Sequence, residues 1–324
     1  MINMFSVFRA LISVVALSAA VTASAQQSAL PPVIKVIVPF AAGASTDVIA
    51  RALVAQLGPK LGTTVIVENR PGASGFIGAS AVAKAPRDGS MLLFTSVSMI
   101  SAATTNKNVP IDVLSDLVAV AVPGEGPLVI AVPASSPIKT PADLLAAARA
   151  KPDTITHGTA GVGTIAHMAA ELLNESAKIQ LRHIPYKGAS LAVTDMLGGN
   201  IDLMLAVKST FGGQVSAGKF RLVAVTSREP SPAFPGVPTV ASVVPGYDVS
   251  LFTTLYAPAG TPAALVLRLN QAVNEIAKSK EMTELMLSDG ALPLTLTPEQ
   301  AAAKVRASYA MWKKLAAEKN IVTE

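Results

Sequence analysis

The stretch VIKVIVPFAAGASTDVIARAL, residues 33–53, decides the fold. Val33 to Val38 is an apolar, β-branched run of strand length closed by Pro39. Val48, Ile49, Leu53, Val54 and Leu57 then recur at the three-to-four spacing of an amphipathic helix, with Gly58-Pro59 as its expected stop. The turn between them is built from small and hydroxyl residues. Such a turn leaves the first N–H groups of the helix free at the carboxyl edge of the strand, where an anion can be held by main chain alone.

Residues 157–167, HGTAGVGTIAH, repeat this chemistry. Both turns lack Lys and Arg, and neither has the GxGxxG or GxxxxGK[ST] spacing of a nucleotide site. Ala44, Ser45 and Thr46 of the first, and Gly161, Gly163 and Thr164 of the second, are therefore candidate ligand residues for a small carboxylate clamped between two lobes. Asp47, in the first turn of its helix, either caps the turn and offsets the dipole or orients the loop. Thr95 and Ser96 stand at the carboxyl end of a strand expected over Met91–Thr95, the edge where ligands of α/β sheets sit. They contact a ligand or satisfy their own turn. Asp202, directly after Gly199-Asn200-Ile201, and Lys208 flank a strand end in the second lobe; each contacts a ligand, crosses the hinge or is simply solvated at the surface.

Strands alternate with helices along the chain, which implies mostly parallel sheets covered on both faces. Thr64–Val67 is a strand, and a small-residue helix running to Lys84 follows the turn RPGASG, residues 70–75. Leu117–Val122 and Leu128–Val132 flank a Pro-Gly-rich turn at Pro123–Pro127, the expected crossing between lobes. A helix capped at Thr140-Pro141 and one ending at Gly198-Gly199 belong to the second lobe. Residues 228–247 read as an irregular connection back. Two long helices after Thr261-Pro262 and Thr297-Pro298, the second with Gln300 completing a capping box, close the first lobe. The lobes comprise residues 26–126 with 252–324, and 127–251.

The 324 residues suffice for two cores. Met1–Arg9 forms a positive n-region, Ala10–Ala20 an apolar core too short to span a bilayer, and Ala23-Ser24-Ala25 a cleavage site. Residues 1–25 are thus expected to be a secretory signal peptide, and the protein periplasmic. No cysteine occurs, which excludes disulfides, thiolate metal sites and a lipid-anchored cysteine. A net charge of +5 without basic runs and 4% aromatic residues exclude a nucleic-acid surface. His157, His167 and His183 have no metal-ligand spacing and are assigned structural roles. No GxSxG elbow or local nucleophile signature is present, so no metal or cofactor is expected and a binding protein is favoured over the alternative of a secreted hydrolase or lyase, which needs convergent nucleophile, base and oxyanion groups. Trp312 and Tyr309 read as core packing.

Taken together, VPFAAGASTDVIAR (38–51), VENRPGASGFIGA (67–79), HGTAGVGTIAH (157–167), PYKGAS (185–190), LGGNIDLM (197–204), AGKFRLVAVTS (217–227), GVPT (236–239), PGYDV (245–249) and YAPAGTP (256–262) resemble the Bug family, the periplasmic solute receptors of tripartite tricarboxylate transporters. The resemblance implies a two-lobed type II periplasmic-binding-protein fold that closes on a small mono- or dicarboxylate. Phe40, Ala42, Gly43, Ala44, Ser45 and Thr46 would form the first jaw, with Asp47 stabilising it. Gly161, Val162, Gly163 and Thr164 would form the second. Membrane transporter subunits or a sensor kinase are the implied partners of a monomer. The chain departs from the family at Ala44, Phe76, Ser90 and Phe252; Ala44 puts a methyl near the jaw, and Phe76 would make one cleft wall more apolar.

Overall fold

The computed structural model describes residues 30–323; the signal peptide expected over 1–25 lies outside them. Strand β1 is Val33–Val38, and helix α1, Ser45–Leu61, follows its loop. The helix runs through Gly58-Pro59 and ends instead at Gly62, whose left-handed backbone (φ 70°) lets its N–H reach the Gly58 carbonyl. Burial of Leu57 and Leu61 carries this last turn past the proline, which removes one backbone bond. β2 (Thr64–Asn69), α2 (Phe76–Ala83), β3 (Met91–Ser96) and α3 (Val97–Thr105) continue the alternation.

At the expected first crossing the structure differs from the sequence reading. Pro123–Pro127 is no turn: β4 runs unbroken from Leu117 to Pro127, and after Leu128 alone the chain enters β5, Val129–Pro133. The glycines serve close approach. A Cβ on Gly124 would lie 2.8 Å from Met286 Sδ, and one on Gly126 2.6 Å from the Gly290 carbonyl. In the second lobe come α4 (Pro141–Ala150, with a Thr140–Asp143 capping box), β6 (Thr156–Thr159), α5 (Ile165–Ala177), β7 (Arg182–Pro185), α6 (Ala189–Leu197), β8 (Leu203–Ala206) and β9 (Phe220–Val225). The chain returns as β10, Ser250–Pro258. α7 (Ala263–Ala277), α8 (Lys280–Ser288), the short β11 (Leu292–Pro293) and α9 (Pro298–Glu318) complete it. α8, capped by Ser279, has no counterpart in the sequence reading.

The strands form two sheets, ordered β11-β4-β10-β3-β1-β2 and β7-β6-β8-β5-β9. Both are mixed. β10 runs antiparallel to β3 and β4, and β5 runs antiparallel to β8 and β9, whereas β1–β3 and β6–β8 pair in parallel. β5 and β10 are strands by which the chain enters each lobe after a crossing, and the short β11 also pairs antiparallel, with β4. The register settles which edges face each other. Val129, first in β5, pairs with Ala206, last in β8, so the carboxyl ends of β6 and β8 lie at the crossing. Ser96, last in β3, pairs with Thr253 beside the other end of the crossing. Both βα loops therefore leave strand ends that point toward the opposite lobe, as in open α/β sheets whose ligands sit beyond the strand carboxyl ends.

Three chain segments meet at the hinge. Thr226, fully buried, donates its N–H to the Leu128 carbonyl (2.9 Å) while its hydroxyl accepts from the Leu128 N–H (2.8 Å) and donates to the Val249 carbonyl (2.7 Å). One continuous apolar core joins Ile37, Phe76 and Met99 of the first lobe to Leu144, Met168 and Leu205 of the second, with Trp312 and Leu315 of α9 in the same cluster. Phe76 is thus core rather than a cleft wall. Among the described residues no helix is long and apolar enough to cross a membrane.

Candidate ligand-binding cleft

The two loops are built on one plan. Gly43 and Gly163 have φ of +83° and +75°; the residues after them, Ala44 and Thr164, are extended N-caps with φ/ψ of −65°/154° and −66°/156°. Neither N-cap side chain caps its helix. The capping acceptor comes instead from the third helical residue. Gly43 donates its N–H to Asp47 Oδ2 (2.9 Å), and Gly163 donates its N–H to His167 Nδ1 (3.2 Å). The N–H groups of Ser45, Thr46, Ile165 and Ala166 have no partner among the described residues, as helix geometry dictates for a first turn.

A polar frame fixes the first loop. Asp47 is buried, with Arg51 Nε donating to its Oδ2 (2.9 Å) and Asn69 Nδ2 to its Oδ1 (2.8 Å). Burial opposes its ionisation, but the bonds from Arg51, Gly43 and Asn69 outweigh burial and hold the carboxyl below its usual range. Asn69 also donates to the Phe40 carbonyl (3.1 Å) and accepts from Arg51 Nη2 (2.8 Å), which makes it the residue that ties β2 to the loop. Arg51 and Asn69 were not among the residues singled out in the sequence. Their signal was the pair VIAR and VEN, each within a quoted motif.

Ser45 and Thr46 border a cavity of ≈ 20 Å³ together with Ile49, Val207, Thr253 and Asp289, about the room one water needs. Outside it an open groove of ≈ 450 Å³ runs past Gly43, Val48, Ser209 and Ser288. Between the two, the Ser45 hydroxyl donates to Asp289 Oδ2, and Asp289 Oδ1 accepts from the Ser209 N–H (3.2 Å). The first jaw is thereby linked to the second lobe through one carboxylate. Lys208 lies on the same seam, its ammonium over the Phe234 ring at 5.9 Å.

The second loop lines neither of these cavities. It rests on α3 of the first lobe, with Ser101 Oγ donating to the Gly163 carbonyl (2.7 Å). A Cβ at Gly163 would stand 2.5 Å from Thr105 Oγ1 and 3.1 Å from Thr323 Cγ2, so only glycine allows this seating. Thr164 Oγ1 and Thr159 Oγ1 both donate to the Gly161 carbonyl, and Val162 is exposed at the tip. Behind the loop the three histidines stack: ring centres are 3.9 Å apart for His167 and His183, and 4.9 Å for His157 and His183. Burial pushes His157 and His167 down to about 3 and His183 to about 4, with the neighbouring imidazoles adding to the shift for His157 and His167. Among the described residues no group of three or more His, Asp or Glu could hold a metal ion.

Three remaining sequence candidates, Thr95, Ser96 and Asp202, line neither cavity. Thr95 and Ser96 lie inside β3 and are buried, opposite Thr254 and Thr253 of β10; the Thr95 hydroxyl has no partner among the described residues. Asp202 lies at the far end of the second sheet. Its carboxylate accepts from Thr156 N (2.8 Å) and Oγ1 (2.7 Å), stapling the start of β6 to that of β8, whereas the loop leaves the other end of β6. Asp202 therefore stands away from the cleft edge and serves the sheet.

The family model for the tripartite tricarboxylate transporter family receptor matches residues 49–321. Three solved structures are similar over nearly their whole length. The periplasmic binding protein BugD is 31% identical, covering 90% of this chain and 99% of its own, with a TM-score of 0.76. An R. palustris protein solved with adipate is 30% identical with 90% and 99% covered and a TM-score of 0.79. MatC from Rhodopseudomonas palustris, solved with malate, is 27% identical with 88% and 99% covered and a TM-score of 0.74.

Proposed function

Because the chain belongs to the tripartite tricarboxylate transporter receptor family, we propose that it is a periplasmic solute receptor whose lobes close on a small mono- or dicarboxylate held between residues 40–47 and 161–164, for delivery to membrane transporter subunits. The observation that carries this reading is the duplicated loop geometry: two helix N-termini, each with free amides and no cationic side chain, each following the carboxyl end of a strand. The matching family model is that of a transporter receptor, and two relatives were solved with small carboxylates, adipate and malate.

A cavity of ≈ 20 Å³ cannot hold a dicarboxylate. In this reading a ligand enters the cavity when the Ser45–Asp289–Ser209 link parts, and one that touches both loops shifts the population between a parted and a joined state. The test is a thermal-shift screen of the refolded mature protein against small carboxylates. A ligand at about 1,000 times Kd adds about 4 kcal/mol and raises the midpoint by several degrees. A shift confined to related acids supports the receptor reading; no shift for any carboxylate overturns it.

A further inference from the structure

Asp47 and His167 occupy the same place in the two loops. Each is the third residue of its helix, each lies four residues after the glycine of its loop, and each accepts that glycine's N–H. The residue one turn further on completes the correspondence with reversed polarity. Asp47 is followed at that spacing by Arg51, which donates to it; His167 is followed by Glu171, whose Oε1 lies 3.8 Å from His167 Nε2. An imidazole that accepts at Nδ1 must carry its proton on Nε2, so the Glu171 carboxyl stands on the side of the donor.

We propose that His167 is the positioning residue of the second loop, holding the Gly163 amide through an unprotonated Nδ1 as Asp47 holds the Gly43 amide, so that the loop presents its remaining amides to a carboxylate. This rests on the receptor reading of the cleft. The other histidines complete the frame. His183 stacks on His167 and shares a 2.6 Å hydrogen bond with Thr159 Oγ1, which accepts from the Gly161 N–H at 3.2 Å. The amides of both loop glycines are thus tied inward, while those of Val162 and Thr164 have no partner among the described residues. A neutral acceptor suits this loop because its surroundings are buried, Glu171 faces it directly, and Lys319 is already paired with Glu175. A carboxylate in place of His167 would confront Glu171 with no cation bonded to it as Arg51 is to Asp47, since Lys319 is paired with Glu175.

The experiment measures binding of malate and adipate by calorimetry at neutral pH, with the Gly163 amide resonance as a ligand-free readout, in the mature protein and four variants. His167→Phe keeps a ring in the stack and deletes the acceptor; affinity should fall at least tenfold and the Gly163 resonance should move. His167→Asn restores an acceptor within reach and should return affinity to within about threefold. His167→Asp should bind as poorly as the Phe variant, and His167→Asp combined with Glu171→Arg, which rebuilds the pairing of the first loop, should recover. Unchanged affinity in His167→Phe, or loss that neither Asn nor the double variant rescues, overturns the proposal. If the unsubstituted protein binds neither acid, the receptor reading fails for these acids, and the resonance alone decides: movement in Phe reversed by Asn supports the positioning role, no movement overturns it.

Discussion

Thr226 and Leu128 grip each other where both strands leave the second sheet, the N–H of each held by an oxygen of the other. Replacing Thr226 with Val keeps its shape but leaves the buried Leu128 N–H and the Val249 carbonyl without the hydroxyl. A loss of about 1–3 kcal/mol is expected, read from urea unfolding, with Thr226→Ser recovering most of it. A loss confined to Thr226→Ser would mean that the methyl, not the hydroxyl, matters at the hinge.

Gly163 has both a steric and a conformational claim. In Gly163→Ala the new methyl meets Thr105 Oγ1 at 2.5 Å, and a left-handed backbone adds about 1–2 kcal/mol. Carboxylate affinity should drop by an order of magnitude while circular dichroism stays unchanged. Adding Thr105→Ala should recover part of it, because the hydroxyl clash goes and the backbone cost remains.

The negative charge of Asp289 lies on the first jaw. Two charges about 4 Å apart interact by about 1 to 4 kcal/mol between water and protein-surface screening, so Asp289→Asn should raise the affinity for a dicarboxylate about tenfold. The gain should shrink at high salt. Unchanged affinity would show that Asp289 swings clear when the lobes part.

Acid should destabilise the protein in two stages. His157, His167 and His183 have folded values lowered to about 3, 3 and 4, below the unfolded value of about 6.5. Their contribution is complete above pH 6.5 and is lost as pH falls toward those folded values, at up to about 1.4 kcal/mol per pH unit for each imidazole. Asp47, whose folded value is also lowered, contributes above its unfolded value of 3.8 and is lost only below it. Urea midpoints between pH 7 and 4 therefore report the histidines, and His157→Leu should flatten that slope by about one proton.

Much of this was legible in the chain. β1, the two glycine turns, the Thr140 and Thr297 caps and the buried Trp312 follow from local rules of period and capping. What escaped was decided by distant partners. Gly124 and Gly126 look like turn residues, yet they are extended because Met286 and Gly290 press on them from a segment more than 150 residues away. Asp202 resembles a cleft residue by its place beside a strand, and only the parallel register of β6 and β8 reveals that it sits at the far end. His167 could have been found: written beneath one another, GASTD and GTIAH align glycine with glycine and acceptor with acceptor.

The apolar cluster that runs from Ile37 through Met168 to Leu315 also bears on how the molecule lives and dies. A fragment comprising only residues 127–251 would lose α3 and α9, which pack against α5, so the second lobe is not a transplantable module. Unfolding should be a single all-or-none event for the entire molecule. A solute caught at one seam would then shield every part of the chain from proteases at once, not only the walls it touches.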